Sequence, residues 1–164
     1  MNLKDKVAIV TGSGSGIGKC IAEVFAKEGA KVVVNSQSNR AEAVAKQIVD
    51  DGGEALFVQG QVQDPDDARR IVDKTVEHFG RIDILINNAG VVFPGTVDNT
   101  SIEDWDLTFA VNCRGVFLMS KFAVLQMLEQ GDGVIVHNAS IAGVKGLKDR
   151  AMAYALTGAT RRAS

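Results

Sequence analysis

The sequence predicts a doubly wound α/β protein built on a parallel sheet. Three observations predict it. Short apolar runs rich in Val and Ile recur along the chain, longer stretches with helical apolar spacing separate them, and four glycines crowd the junction between the first run and the first helical stretch.

The strand-length runs are Val7–Val10, Lys31–Val34, Ala55–Gln59, Ile82–Ile86 and Gly133–Asn138. Their apolarity is continuous rather than alternating, as expected of strands covered on both faces. Between them, Ile17, Ile21, Val24 and Phe25 mark one helical face. Ala41, Val44, Ala45 and Ile48 mark a second, and Ala68, Ile71, Val72, Val76 and Phe79 a third. Asp64-Pro65 places a capping acceptor before a proline at the first helical position. Thr100–Glu103 has the spacing of a capping box. Gly29, Gly52-Gly53 and Gly80 are expected to stop the three helices. Right-handed crossovers then put helices on both faces of the sheet. With no linker, repeat or low-complexity segment, residues 1–164 read as a single domain.

Composition narrows the function. At 46% hydrophobic and 23% charged the chain is globular rather than disordered. A formal net charge of −2 gives no footprint for nucleic acid. Residues 133–164 do carry Lys145, Lys148, Arg150, Arg161 and Arg162 against Asp149, a pattern expected of a solvated helix face. No uninterrupted apolar run approaches the roughly 18 residues of a membrane helix, so no membrane partner is expected. Lys4, Asp5 and Lys6 before a four-residue apolar stretch do not resemble a signal peptide. Cys20 and Cys113, far apart and without paired spacing, read as buried thiols in a reducing cytoplasm. His78 and His137 have no cysteine or carboxylate cluster near them, so no metal site is expected.

The glycine turn carries the first chemistry. Thr11-Gly12-Ser13-Gly14-Ser15-Gly16-Ile17-Gly18 follows the first strand and opens the helix. Glycines there allow tight turns and let backbone amides approach a pyrophosphate, while the helix N-terminus adds free donors and a positive dipole end. G-x-G-x-x-G does not fit, because Ile17 and Lys19 fall where its last glycine would stand. The nucleoside-triphosphate P-loop fails as well, having Ser13 for its first Gly and Cys20 for its Ser/Thr. What fits is T-G-x-x-x-G-x-G. A turn serving packing alone is the competing reading.

This turn resembles that of the short-chain dehydrogenase/reductase family, and three later segments agree in order. Asn87-Asn88-Ala89-Gly90 after the fourth strand is similar to that family's N-N-A-G, Asn112 to its helix asparagine, and Ser140 and Tyr154 to its Ser and Tyr. The resemblance implies a Rossmann-like sheet of order 3-2-1-4-5, an NAD(P)-dependent oxidoreductase, and a small-molecule carbonyl or alcohol substrate. It implies cofactor contacts at Gly12, Ser15, Gly16, Ile17, Gly18, Gln61, Val62, Asn88, Ala89, Gly90 and Tyr154. Gln61-Val62 stands where the family usually has Asp-Val beside the adenine, so a charge is lost there.

NAD sites of this kind place an acid after the second strand to hold the ribose 2′-hydroxyl. From Lys31 to Ala41 there is none. Nothing there repels a 2′-phosphate, and Arg40 is placed to pair with one, which favours NADP over NAD. Against this, the glycine turn itself holds no basic residue before Lys19, and Arg40 fits equally a surface residue at a helix start.

The same resemblance implies a catalytic set of Asn112, Ser140 and Tyr154. Tyr154 is the proton donor, Ser140 a second donor to the substrate oxygen, and Asn112 the anchor of a relaying water. Singly, each also fits a structural role: a strand-end cap, a helix polar group, a half-buried aromatic. The family's Y-x-x-x-K is broken, since Gly158 stands where its lysine is expected. A phenol ionises near pH 10, and lowering that by about three units needs roughly 4 kcal/mol of differential stabilisation. Arg161 and Arg162 lie about two helical turns beyond Tyr154, too far to supply it. One Lys between Thr157 and Gly158 would restore the family spacing. Ser164 falls inside the helix expected from near Ala151, so the last family strands and the substrate region are expected to be missing. An apolar edge on the fifth strand is the expected consequence. Family members commonly pair through helices that here span about Val111–Gln130 and Ala151 onward, which implies a homo-oligomer. A catalytically silent dinucleotide-binding module is the alternative function.

Overall fold

The computed structural model describes residues 3–145 and 152–160. Five parallel strands form one sheet: β1 (Val7–Val10), β2 (Lys31–Ser36), β3 (Glu54–Gln59), β4 (Ile84–Asn87) and β5 (Val134–His137). Their order is β3-β2-β1-β4-β5, as the resemblance implies. Register places Ile9 beside Val33 on one side and Leu85 on the other.

The helices are α1 (Gly16–Lys27), α2 (Arg40–Asp50), α3 (Pro65–Phe79), α4 (Ile102–Phe109), α5 (Val116–Gln130) and α6 (Met152–Thr160). Alternate strand residues feed two cores, because successive side chains point to opposite faces. Ile9, Val33 and Leu85 pack with Ile71 of α3 and Met119 of α5, whereas Val10, Val32 and Val34 pack with Ala22 of α1 and Val44 of α2. This two-sided burial is why β1 and the middle of β2 tolerate no polar alternation.

Local signals hold at most boundaries. Asp64 accepts from the amides of Asp66 and Asp67 ahead of Pro65, and Gly29, Gly52 and Gly80 take positive φ just past their helices. At the start of α4 the expected box is displaced by one residue. Ser101 caps Asp104 N, because the Thr100 hydroxyl already donates to Thr96 O and completes the preceding turn. β4 begins at Ile84 rather than Ile82. The preceding Asp83, only 3% exposed at its side chain, clamps the start of β1 by accepting from Val7 N at 2.8 Å, Arg81 Nη2 at 2.7 Å and Lys6 Nζ at 3.3 Å.

Two expectations about α1 are corrected. Ile17 and Val24 are exposed, and the buried residues are Gly18 and Ala22, with Ile21 and Phe25 flanking them. Small residues face the sheet so that the helix start can approach β1 and β4 closely. Cys20, two residues off that stripe, is exposed rather than buried, and Cys113 is half-buried. Of the basic group near the C-terminus, Lys145 is exposed and Lys148, Arg150, Arg161 and Arg162 lie outside the described residues.

α4 and α5 join through a π-helical turn, Ala110–Gly115, into one helical stretch from Ile102 to Gln130. By length and composition that stretch could cross a membrane, which the short apolar runs do not suggest, but its inner face packs on α3 and the sheet as a core helix does.

Candidate active site

The carboxyl ends of β1, β2, β3 and β4 border a cleft of about 480 Å³. In open parallel sheets ligands bind at that end, where the crossovers diverge. β1 leads directly into the glycine turn, with Gly12 at φ +64° and Gly16 at φ +55°. A Cβ on Gly12 would lie 2.7 Å from Ala89 Cα, and one on Gly18 only 2.5 Å from both Asn88 Nδ2 and Gly12 O. These glycines therefore permit contact between the turn and the segment after β4.

That contact is built from hydrogen bonds. The buried Thr11 hydroxyl donates to Ile86 O and accepts from the amides of Asn88 and Ala89, each at 3.0 Å. Asn88 Nδ2 donates to Thr11 O at 3.0 Å and to Gly12 O at 3.3 Å, while Asn138 Nδ2 donates to Asn88 Oδ1. Asn87 Nδ2 reaches Ser120 Oγ at 3.0 Å. The N-N-A-G segment thus locks β1, β4, α5 and the end of β5 together. Sequence reasoning passed over Thr11 as a site residue, although it opens the glycine motif.

The first turn of α1 carries no acidic residue, and its Ser15 cap makes no side-chain hydrogen bond. Ser15, Ile17 and Gly18 line the cleft, so the helix terminus presents amide donors and a positive dipole end to it. Gly16 shapes the turn without lining the cleft. Gln61 and Val62 form part of the far rim, held by Asp67, whose carboxylate accepts from Gln61 N at 2.8 Å. That backbone hydrogen bond first, and the Arg70 guanidinium second, hold the Asp67 carboxyl below its usual range. Asn88, Ala89 and Gly90 line the opposite wall, and Arg40 lies at the rim with its Cβ against Gly14.

Asn112, Ser140 and Tyr154 do not line this cleft, but the fold brings their segments together beside it. Asn112, buried within the π-helical turn, accepts from Val91 N at 2.9 Å and donates to Val91 O at 2.8 Å. It also donates to Thr157 Oγ1 at 3.2 Å, and the Thr157 hydroxyl donates to Tyr154 O. Ser140 accepts from Ala142 N and so caps a short helical turn, Ile141–Gly143. A Cβ on Gly158 would lie 3.0 Å from Gly143 N and 3.4 Å from Ser140 Cβ, so α6 packs directly on the Ser140 turn. Tyr154 is half-buried on that helix. No cluster suited to a metal ion occurs among the described residues.

This doubly wound sheet, with a glycine turn at its switch point, is a Rossmann-like fold. The chain belongs to the short-chain dehydrogenase family, whose model matches residues 6–158. It is 50% identical to an uncharacterized oxidoreductase of Thermotoga maritima over 98% of this chain and 65% of that protein. It is 40% identical to a 3-oxoacyl-[acyl-carrier-protein] reductase of Synechocystis, covering 88% of this chain and 59% of the relative. With a D-threitol dehydrogenase of Mycolicibacterium smegmatis it shares 41% identity over 93% of this chain and 58% of the relative. The crystal structure of a short-chain type dehydrogenase/reductase from Mycobacterium marinum superposes with a TM-score of 0.93 at 32% identity, covering 96% of this chain and 65% of that one. The chain thus spans under two thirds of each of these proteins.

Proposed function

We propose that this chain forms the coenzyme-binding part of an NAD(P)-dependent oxidoreductase acting on a small carbonyl or alcohol. The observation that carries this reading is the glycine cradle: side chains at Gly12 or Gly18 would fill the space where turn and β4 segment meet, and uncapped α1 amides face the cleft beside it. When bound, the nicotinamide gives or takes the hydride. Ser15, Ile17 and Gly18 bind the diphosphate through the helix terminus, Gln61 and Val62 flank the adenine, and Asn88, Ala89 and Gly90 border the nicotinamide side. Gly16 sets the turn. Tyr154 donates the proton to the substrate oxygen and contacts the nicotinamide ribose. Ser140 supports the developing charge, and Asn112 holds Tyr154's helix against the loop at Val91. The absence of any acid from Lys31 to Ala41, with Arg40 at the rim, favours NADP over NAD. A 3-oxoacyl thioester, a sugar or a secondary alcohol is the substrate class, in keeping with what relatives are named for. Pairing with a second copy would use the exposed apolar face of α5 that carries Phe117, Leu125 and Leu128.

One observation favours a second reading. With glycine at position 158, no cation stands one turn beyond Tyr154 to favour its ionised form. A silent dinucleotide-binding module would share every contact of the cleft. Fluorescence titration with NADPH and a turnover assay on the three substrate classes separate the two. Binding with turnover supports the oxidoreductase, binding without turnover supports the module, and no binding refutes both.

A further inference from the structure

The segments that leave the carboxyl ends of β4 and β5 set large apolar groups in water. Val91-Val92-Phe93-Pro94 follows Gly90, and Ile141-Ala142-Gly143-Val144 follows Ser140. Val92, Ile141 and Val144 are each more than half exposed. Residues 84–97 hold no ionisable side chain and residues 133–144 hold His137 alone, so Asp98 and Lys145 are the first charges beyond the two segments.

Both segments adjoin the helix that carries Tyr154. Asn138 Nδ2 donates to Asn88 Oδ1 at 2.9 Å and ties the two strand ends together. Asn112 joins Val91 to Thr157 of α6, and Gly158 of the same helix packs on Gly143 and Ser140. Val92 stands one residue beyond the first of these contacts, and Ile141 one residue beyond Ser140.

The polar side chains nearby are spent on the fold. Asn88 Nδ2 holds Thr11 O and Gly12 O, and His137 Nδ1 meets Asn87 Nδ2 at 3.2 Å. Thr96 Oγ1 donates to Asp98 Oδ1, and Thr100 Oγ1 to Thr96 O. Ser140 Oγ accepts from Ala142 N, which leaves its O–H to donate. With the Tyr154 phenol, these segments therefore offer donors for one oxygen and apolar surface beside it.

Resting on the oxidoreductase reading above, we propose that the substrate is a ketone or secondary alcohol with hydrocarbon on its reacting carbon, in contact with Val92 and Ile141, and not a sugar. Its one oxygen takes the hydrogen bonds of Ser140 and Tyr154. Burial of hydrocarbon against Val92, Ile141 and Val144 drives binding. Each further hydroxyl of a sugar would give up its water without gaining a partner. A free aliphatic ketone and the acyl chain of a 3-oxoacyl thioester share this chemistry.

Amide shifts of the 15N-labelled chain, saturated with NADPH, test this during titration with 2-octanone, with the N-acetylcysteamine thioester of 3-oxooctanoate and with erythrulose, a four-carbon ketose. The better of the two apolar ligands is expected to move Val92 and Ile141–Val144 and to bind at least about tenfold tighter than erythrulose. Whichever of the two binds tighter identifies the source of the ketone. Val92→Asn and Ile141→Asn, both at exposed positions, should each weaken that ligand about threefold to tenfold while NADPH affinity holds. Erythrulose binding as tightly as the apolar ligands overturns the inference, as do shifts that lie elsewhere, no binding of either apolar ligand, or undiminished affinity in both variants. Failure of NADPH itself to bind refutes the dinucleotide reading, and the inference with it.

Discussion

Replacing Gly18 by alanine puts a methyl group 2.5 Å from both Asn88 Nδ2 and Gly12 O, closer than any ordinary carbon contact. Neither neighbour is a flexible chain end. Gly12 O is backbone, and Asn88 Nδ2 holds the cleft wall through bonds to Thr11 O and Gly12 O. Helix propensity alone would make the substitution favourable by about 1 kcal/mol. Against that stand about 1–3 kcal/mol of overpacking and about 1 kcal/mol for each Asn88 bond that breaks. The net loss is about 1–4 kcal/mol, which for a chain of this size lowers Tm by about 2–16 °C. NADPH affinity should fall at least about tenfold, because the displaced Asn88 carries Ala89 and Gly90 with it. Gly16→Ala is the control: nothing lies within 4 Å of its Cβ, and only its φ of +55° is strained. It should cost about 1–2 kcal/mol and leave the cleft wall in place. Thermal melts by circular dichroism, with fluorescence titration of NADPH, measure both. A Gly18→Ala chain that melts and binds as the wild type does would refute the reasoning that close packing of turn on wall builds the site.

Burial opposes the charge of Asp83, but hydrogen bonds from Arg81, Val7 N and Lys6 outweigh it and hold its carboxyl below the usual carboxylate range. The stability it contributes is therefore present above the unfolded value of about 4 and is lost as pH falls through the lower folded value. Asp83→Asn should destabilise the chain by about 1–3 kcal/mol at pH 7 and by less at pH 3, read from denaturant melts at both. Thr11→Val removes the acceptor for Asn88 N and Ala89 N and should weaken NADPH binding about tenfold while costing about 1–3 kcal/mol of stability, checked by titration and melting. On the oxidoreductase reading proposed above, inserting one lysine between Thr157 and Gly158 raises kcat about 10²-fold or more without improving coenzyme affinity. A kinetic split in kcat rather than KM checks it. Val134 and Val136 of the edge strand β5 are 54% and 45% exposed, which predicts concentration-dependent association of the chain. Size-exclusion chromatography that gives one sharp monomer peak at all concentrations would contradict this.

Much of the fold was legible because burial on both faces writes itself into sequence as unbroken Val and Ile runs. Each of the five strands was recognisable from its run, and α2 and α3 from their faces. The face of α1 was misread. Its inward residues are Gly18 and Ala22, chosen for closeness rather than hydrophobicity, and hydrophobic spacing is blind to that. Ile17 is apolar yet stands on the cleft wall. The cap of α4 shifted from Thr100 to Ser101 because a local hydroxyl bond to Thr96 O competed for it. At the cleft, the glycine turn, Gln61-Val62 and Asn88–Gly90 were visible as motifs and converge as such. Ser13 and Asn35 gave no signal, since their value lies in bonds to main-chain carbonyls contributed by three strands: Ser13 Oγ to Val10 O and Asn35 O, Asn35 Nδ2 to Val58 O and Gly60 O. The partnership of Asn112 with Val91 and Thr157 was hidden for the same reason: it depends on a π-helical turn that no residue pattern announces.

The central claim is that the glycine turn and the segment after β4 clasp a nicotinamide dinucleotide. Amide chemical-shift mapping on a 15N-labelled chain titrated with NADPH tests it most directly. Saturable shifts are expected on Gly12–Gly18, Gln61-Val62 and Asn88–Gly90, with α2's outer face and the β5 edge unmoved. Shifts that cluster elsewhere, or none at millimolar coenzyme in a folded chain, would contradict it.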